Sequence, residues 1–203
     1  MPVFVPQRKR NARGERRVAS LLDAAARVFD KLGYQQATTN AIAAEAGVSP
    51  ATLYQFFPNR EAIADALATR YAVLMANQQK SQDLEELQSI PLERMVQAFL
   101  DPVIGFHLEN PVFRTLLTEA TLSKSAKRQK QLLSQTFIDR LASLLLRKNP
   151  RMRRAEAHWN ADVCLTVLKA FLPLIAGTSA AGRKKSVQAL NDLVVRFLKP
   201  LLP

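Results

Sequence analysis

The residues from Gly47 to Asn59, GVSPATLYQFFPN, offer directional hydrogen bonding rather than catalysis. If they form a helix that turns Leu53 inward, Ala51, Thr52, Tyr54 and Gln55 face outward as a small polar surface suited to base edges and phosphates. A helix made only for packing would be greasier there. Gln55 has the sharpest chemistry, because its carboxamide can pair bidentately with adenine, worth about 1–3 kcal/mol of discrimination. Tyr54 has two readings, a phosphate donor or a half-buried ring that packs the helix. Catalytic groups are sparse: His107, His158 and Cys164 share no spacing that suits a nucleophile and base or a metal site. No enzyme activity, metal or cofactor is expected.

Such a helix needs a firm start and a rigid neighbour. Ser49-Pro50 supplies the start: the hydroxyl accepts a backbone N–H bond, and proline takes the first helical position, where its missing N–H costs nothing. Before it, Thr38 or Thr39 caps a helix of about two turns that buries Ile42, Ala43 and Ala46 and ends at Gly47. Two short helices joined through Gly47-Val48-Ser49 have the turn chemistry of a helix-turn-helix, pinned by Ile42, Val48 and Leu53. Upstream, Leu21, Leu22, Ala25, Val28, Phe29 and Leu32 recur at three- and four-residue steps, an amphipathic helix that Gly33 stops. Downstream, Pro58 breaks helix three, and Asn59 caps a long fourth helix through Ile63, Leu67, Tyr71 and Leu74.

Glycine is scarce, with 6 residues, and helix-forming types dominate, so an all-α fold is expected. The polar stretch 77–89 is the expected loose segment after the first four helices. Further helices are expected at roughly 91–109, 111–122, 124–148, 153–176 and 184–199, about nine in total. The formal charge is +12, concentrated at both ends while residues 61–123 are net acidic, and such an excess attracts polyanions. One cysteine excludes an internal disulfide, and no unbroken run of about 18 apolar residues occurs, so a cytoplasmic location with no membrane contact is expected. A basic arm, residues 1–13 and including Arg10 and Arg13, either reaches DNA beside the head or is simply solvated.

The segment AIAAEAGVSPATLYQFFPNREAI, Ala41 to Ile63, resembles the DNA-binding signature of the TetR family of regulators. It carries the family's Ile-Ala, Ala-Gly-Val-Ser, Thr-Leu-Tyr, aromatic-pair and basic-Glu steps, with Ala51, Phe56 and Arg60 standing where glycine, tyrosine and lysine are frequent. The resemblance implies that Thr39, Tyr54 and Arg60 hold phosphates while Ser49, Pro50, Thr52 and Gln55 lie near the bases. It also implies a three-helix head, residues 14–62, followed by a helical body, 63–203, for dimerisation and effector binding. The expected function is a ligand-responsive repressor on a palindromic operator; the alternative is an architectural DNA-binding protein without an effector.

One helix-turn-helix reads few base pairs, so a homodimer on double-stranded DNA is expected. Its apolar surface falls to the last two helices, through Val163, Val167 and Phe171 in one and Leu190, Leu193, Val194 and Phe197 in the other. The resemblance implies a cavity among the middle helices, with Phe99, Val103, Phe106 and His107 as candidates, joined by Phe113, Leu117 and Trp159. These residues suit a small apolar or aromatic effector, and equally an ordinary core.

Overall fold

In the computed structural model, residues 12–118 and 124–203 are described, and among them the regular structure is entirely helical. α1 spans Ala12–Gln36, α2 Thr39–Glu45 and α3 Pro50–Tyr54; α4, Arg60–Lys80, leads into the body. The body continues with α5 (Leu84–Ser89), α6 (Leu92–Glu109), α7 (Pro111–Thr118), α8 (Lys124–Lys148), α9 (Arg154–Ala176) and α10 (Ala180–Leu198). A short 3-10 turn, Lys199–Leu201, closes the chain. The expected helix across 111–122 extends partly outside the described residues.

Gly33 sits at φ +73°, where side-chain-bearing residues are strained, and it breaks α1 as its sequence position suggests. The expectation of a loose stretch from 77 to 89 is corrected. α4 continues to Lys80, and α5 forms because the Asp83 carboxylate caps it by accepting from Glu85 N–H, while Leu87 is buried. Scarcity of apolar residues concealed a helix that needs only one. α10 also begins earlier than expected: the Ser179 hydroxyl accepts from Gly182 N–H, so the glycine lies inside the first turn.

The buried residues form two clusters. One belongs to the head, where Leu21, Ile42, Leu53 and Ile63 are all but fully buried; it extends along α4 to Leu67 and Ala68 and takes Val112 and Leu116 from α7. The other fills the body around Met95, Leu100, Phe137, Leu144 and Leu145. Tyr71 of α4 packs against both clusters. An ion pair at 2.6 Å between Asp23 and Arg70 ties α1 to α4 from outside.

α9 is the one helix, among the described residues, long and apolar enough by length and composition to cross a membrane. Its inner face, including Ala157, Ala161, Cys164, Leu165 and Leu168, is buried in the body core, and it packs against both α8 and α10. Burial pushes the Cys164 thiol up to about 12, which leaves it an inert core side chain.

Candidate nucleic-acid interface and ligand cavity

The geometry of α2 and α3 follows from three local devices. Thr38 caps α2, its hydroxyl accepting from Ala41 N–H at 3.1 Å. Gly47, at φ +64°, turns the chain so that Val48 N–H reaches Ala43 C=O at 3.0 Å. The Ser49 hydroxyl then accepts from Thr52 N–H at 3.2 Å and lies 3.0 Å from the Thr52 hydroxyl, with Pro50 opening α3. Ser49, expected near the bases, therefore has its hydroxyl engaged in the cap. Leu53 is fully buried, while Ala51, Tyr54 and Gln55 are exposed.

Thr39 and Tyr54, both expected on phosphates, come together with their hydroxyls 2.9 Å apart. The Tyr54 ring is 49% exposed, so packing does not consume it. Glu45, at the end of α2, pairs with Arg27 of α1 at 2.5 Å and lies 3.8 Å from Lys31. The bond from Arg27 is the main reason its carboxyl is held below the usual range. α2 is thus bound to α1 through its last residue.

Arg60 occupies a different place from a free phosphate ligand. Its guanidinium donates to the carbonyls of Tyr34, Gln35 and Ala37 at 3.1, 2.9 and 3.1 Å and lies over the Tyr34 ring, 4.6 Å from its centroid. It satisfies carbonyls left over where α1 ends, the end at which a helix favours a cation. The Arg-for-Lys replacement has a structural reason: the planar guanidinium lies over the Tyr34 ring while its Nη1 donates to all three carbonyls.

Of the expected arm, Arg10 lies outside the described residues. Arg13 does not belong to an arm: it stands in the first turn of α1. With Arg16, Arg17 and Ser20 it lines an open cleft whose opposite wall is Thr52, Gln55 and Phe56 of the α3 region. Arg16, Arg17 and Ser20 complete this set, and their spacing from Arg13 of three, four and seven residues, one face of a helix, was the signal that reveals it. Three arginines therefore flank the same outward face that carries Gln55.

The cavity in the body has a volume of about 220 Å³. Met75 and Gln79 of α4 line it, as do Val103 and His107 of α6 and Phe137 of α8; Leu165 and Leu168 come from α9. Of the expected pocket residues whose side chains are described, only Val103 and His107 are in its wall. Phe113 stacks on His107 at 5.4 Å, and Phe106 meets Phe113 edge-on at 5.5 Å, one layer behind. Phe99 packs edge-on against Phe137 at 5.1 Å, also behind the wall. The Leu117 side chain lies outside the described residues. Trp159 is corrected outright: at 68% exposed it faces away from the cavity. His107 is buried, and desolvation, with a smaller contribution from the Arg114 charge, pushes its pKa down to about 4, so its ring is neutral near pH 7.

The expected dimer residues divide. Leu190 is buried within the protomer and is corrected to core, while Val194, also buried, lines the groove between α9 and α10. Phe171 is partly buried against the same core. Val163, Val167, Leu193 and Phe197 line a shallow outer groove between α9 and α10. Trp159 and Leu174 (59% exposed) extend the α9 face, with steps of four, four and seven residues from Trp159 through Val163 and Val167 to Leu174. That stripe is visible in the sequence once Trp159 is counted with Val163 and Val167 rather than with the cavity.

Two family models match the chain, one described as bacterial regulatory proteins of the tetR family over residues 21–67, the other as tetracyclin repressor-like, C-terminal domain, over 91–198. The chain belongs to the TetR family. It is a DNA-binding transcriptional regulator with an N-terminal helix-turn-helix head and a helical body. The uncharacterized HTH-type transcriptional regulator YobS of Bacillus subtilis is 23% identical over 182 residues, 90% of this chain and 91% of the relative. PfmR of Thermus thermophilus has the same fold, with 20% identity, a TM-score of 0.66, and 87% of this chain and 97% of that one covered. FadR of Bacillus subtilis, solved in complex with stearoyl-CoA, is 15% identical with a TM-score of 0.64, covering 89% of this chain and 96% of its own. Proteins of this family are transcriptional regulators, not enzymes.

Proposed function

We propose that this TetR-family regulator is a ligand-responsive repressor that acts in the cytoplasm as a homodimer on a palindromic operator. The observation that carries the ligand control is α4. Its C-terminal half supplies Met75 and Gln79 to the cavity wall, and Arg60 at its N-terminus is bonded to the head. Those ends are about 28 Å apart along the helix at 1.5 Å per residue. A ligand that favours one pose of α4 therefore shifts the population of head positions, which is what coupling two sites requires. His107, stacked on Phe113, and Phe113, 5.5 Å from the Tyr71 ring, provide a second contact from cavity to α4.

Dimerisation is supported by α9 being apolar on two faces, since a helix hydrophobic beyond one stripe is covered on more than one side. The outer stripe of Trp159, Val163, Val167 and Leu174, with Leu193 and Phe197 beside it, is self-complementary across a two-fold axis. In the head, residues 14–62, Thr39 and Tyr54 hold phosphate, while Pro50, Ala51, Thr52 and Gln55 approach the bases. Arg13 and the preceding Arg10 neutralise flanking phosphates. The body, 63–203, carries the dimer surface and cavity.

Selection of bound duplexes from a random DNA pool at near-physiological salt, followed by footprinting, tests this reading. The expected result is a palindrome with half-sites about one helical turn or more apart. Recovery of no consensus, with binding that collapses steeply as salt rises, would overturn it in favour of architectural binding.

A further inference from the structure

The cavity wall is unevenly charged. Its described lining residues include three cations, Arg114 of α7, Lys130 of α8 and Lys169 of α9, and no carboxylate. Lys130 and Lys169 are exposed residues and so mark the mouth, while Gln79 and His107, 5% and 8% exposed, lie within. Lys169 donates to the Ser134 hydroxyl at 3.0 Å, an uncharged partner. Its pKa is lowered, first by burial and next by the Lys130 charge, with Asp162 acting the other way. Two ammonium groups that repel each other across an apolar opening are relieved by an anion placed between them.

Inside, two polar atoms have no hydrogen-bond partner: Oε1 of Gln79 and Nδ1 of His107. A buried acceptor left unmade costs about 1–3 kcal/mol, so both invite a polar group from a guest. The rest of the interior is apolar, with Leu133, Phe137, Leu165 and Leu168 in the wall. A volume of about 220 Å³ matches roughly seven waters at about 30 Å³ each, or on the order of ten non-hydrogen atoms.

Building on the effector reading above, we propose that the cavity binds a small amphipathic carboxylic acid, its carboxylate at the mouth between Lys169, Lys130 and Arg114 and its short apolar body within. A hydroxyl at the far end of that body would donate to Gln79 Oε1 or engage His107 Nδ1. Long acyl chains overfill the space. This narrows the expectation of a plain apolar or aromatic effector, which the sequence suggested because the three cations sit on three separate helices.

The test is calorimetric titration of the full-length protein, without DNA, with octanoate, 8-hydroxyoctanoate, 3-phenylpropanoate, 1-octanol and stearate. The proposal expects octanoate or 3-phenylpropanoate to bind at least tenfold more tightly than 1-octanol, and stearate to bind no better than octanoate. Lys169→Gln should remove most of the preference for acid over alcohol, while Lys185→Gln, outside the cavity wall, should leave it intact. 8-Hydroxyoctanoate should gain over octanoate, and Gln79→Leu should erase that gain. Equal binding of acid and alcohol, absence of binding by every acid, or an unchanged preference in Lys169→Gln would overturn the proposal. Operator release, measured separately, keeps the two readings apart. Acid binding without release sinks the effector reading alone, whereas release by 1-octanol as readily as by octanoate sinks the acid reading alone.

Discussion

The hydroxyls of Thr39 and Tyr54 lie 2.9 Å apart, joining the first residue of α2 to the last residue of α3. Two donors already held together can meet one phosphate without further ordering, which is where preorganisation adds affinity. Tyr54→Phe keeps the half-exposed ring and deletes one hydroxyl. The expected effect is a five- to tenfold loss of affinity for every DNA sequence, about 1–1.5 kcal/mol, with little change in melting temperature. Gln55→Ala should instead relax preference at one base position by about 1–3 kcal/mol. Parallel titrations of the operator and single-base variants distinguish them. A Tyr54→Phe protein that melts lower yet binds normally would return Tyr54 to a packing role.

Arg60 gives a prediction that separates structure from phosphate contact. With three carbonyl bonds and a side chain only 26% exposed, its removal should destabilise the head first. Arg60→Ala is expected to cost on the order of 2 kcal/mol and to lower the melting temperature by about 5 °C. Arg60→Lys should recover only part of this, because an ammonium lacks the planar face that lies over the Tyr34 ring. DNA binding weakens with the fold, but the slope of log affinity against log salt stays the same. A slope reduced by about one would mean that a phosphate contact was lost.

The head was legible because each of its devices is local. Thr38, Ser49-Pro50, Gly47 and Asn59 act within three or four residues of themselves, and Ile42, Leu53 and Ile63 keep helical spacing. What sequence spacing could not supply was partnership between distant residues. The bonds from Arg60 to the α1 carbonyls span 23 to 26 residues, and nothing near Arg60 announces them. Leu190 and Leu193 look alike on a helical wheel, yet one is fully buried and the other 46% exposed, because the turn of α10 against α9 decides between core and surface. Trp159 misled for a related reason: an aromatic residue in an apolar helix suggests a pocket until a second apolar face is recognised.

That same difference predicts opposite outcomes for two leucines three residues apart. Leu193→Arg places a charge in the outer groove and should yield a folded monomer by sedimentation, with half-site binding surviving and palindrome binding falling at least a hundredfold. Leu190→Ala should instead lower stability by about 2–5 kcal/mol through a core cavity while leaving the refolded protein dimeric. The single tryptophan supplies an independent readout, since Trp159 lies on the stripe. Its emission should shift to the red on dilution of the wild type and start red in Leu193→Arg. Dimeric Leu193→Arg would remove α9 and α10 from the interface.

His107 makes stability depend on pH in a direction that can be worked out. Its native pKa is about 4, against an ordinary 6.5, because burial disfavours the imidazolium and Arg114 adds repulsion. Between those values the unfolded chain takes up a proton that the native protein refuses, so this group's contribution declines as pH falls from about 6.5 towards 4 and changes little below. The span corresponds to on the order of 3 kcal/mol. Urea unfolding at pH 7.5, 6 and 5 should show the wild type losing stability steadily, and His107→Gln, which cannot titrate, losing less. Carboxylates titrating in both proteins cancel in the difference. Parallel curves for the two would mean that the imidazole reaches solvent or an anion when protonated, and with it that the cavity admits water freely at that end.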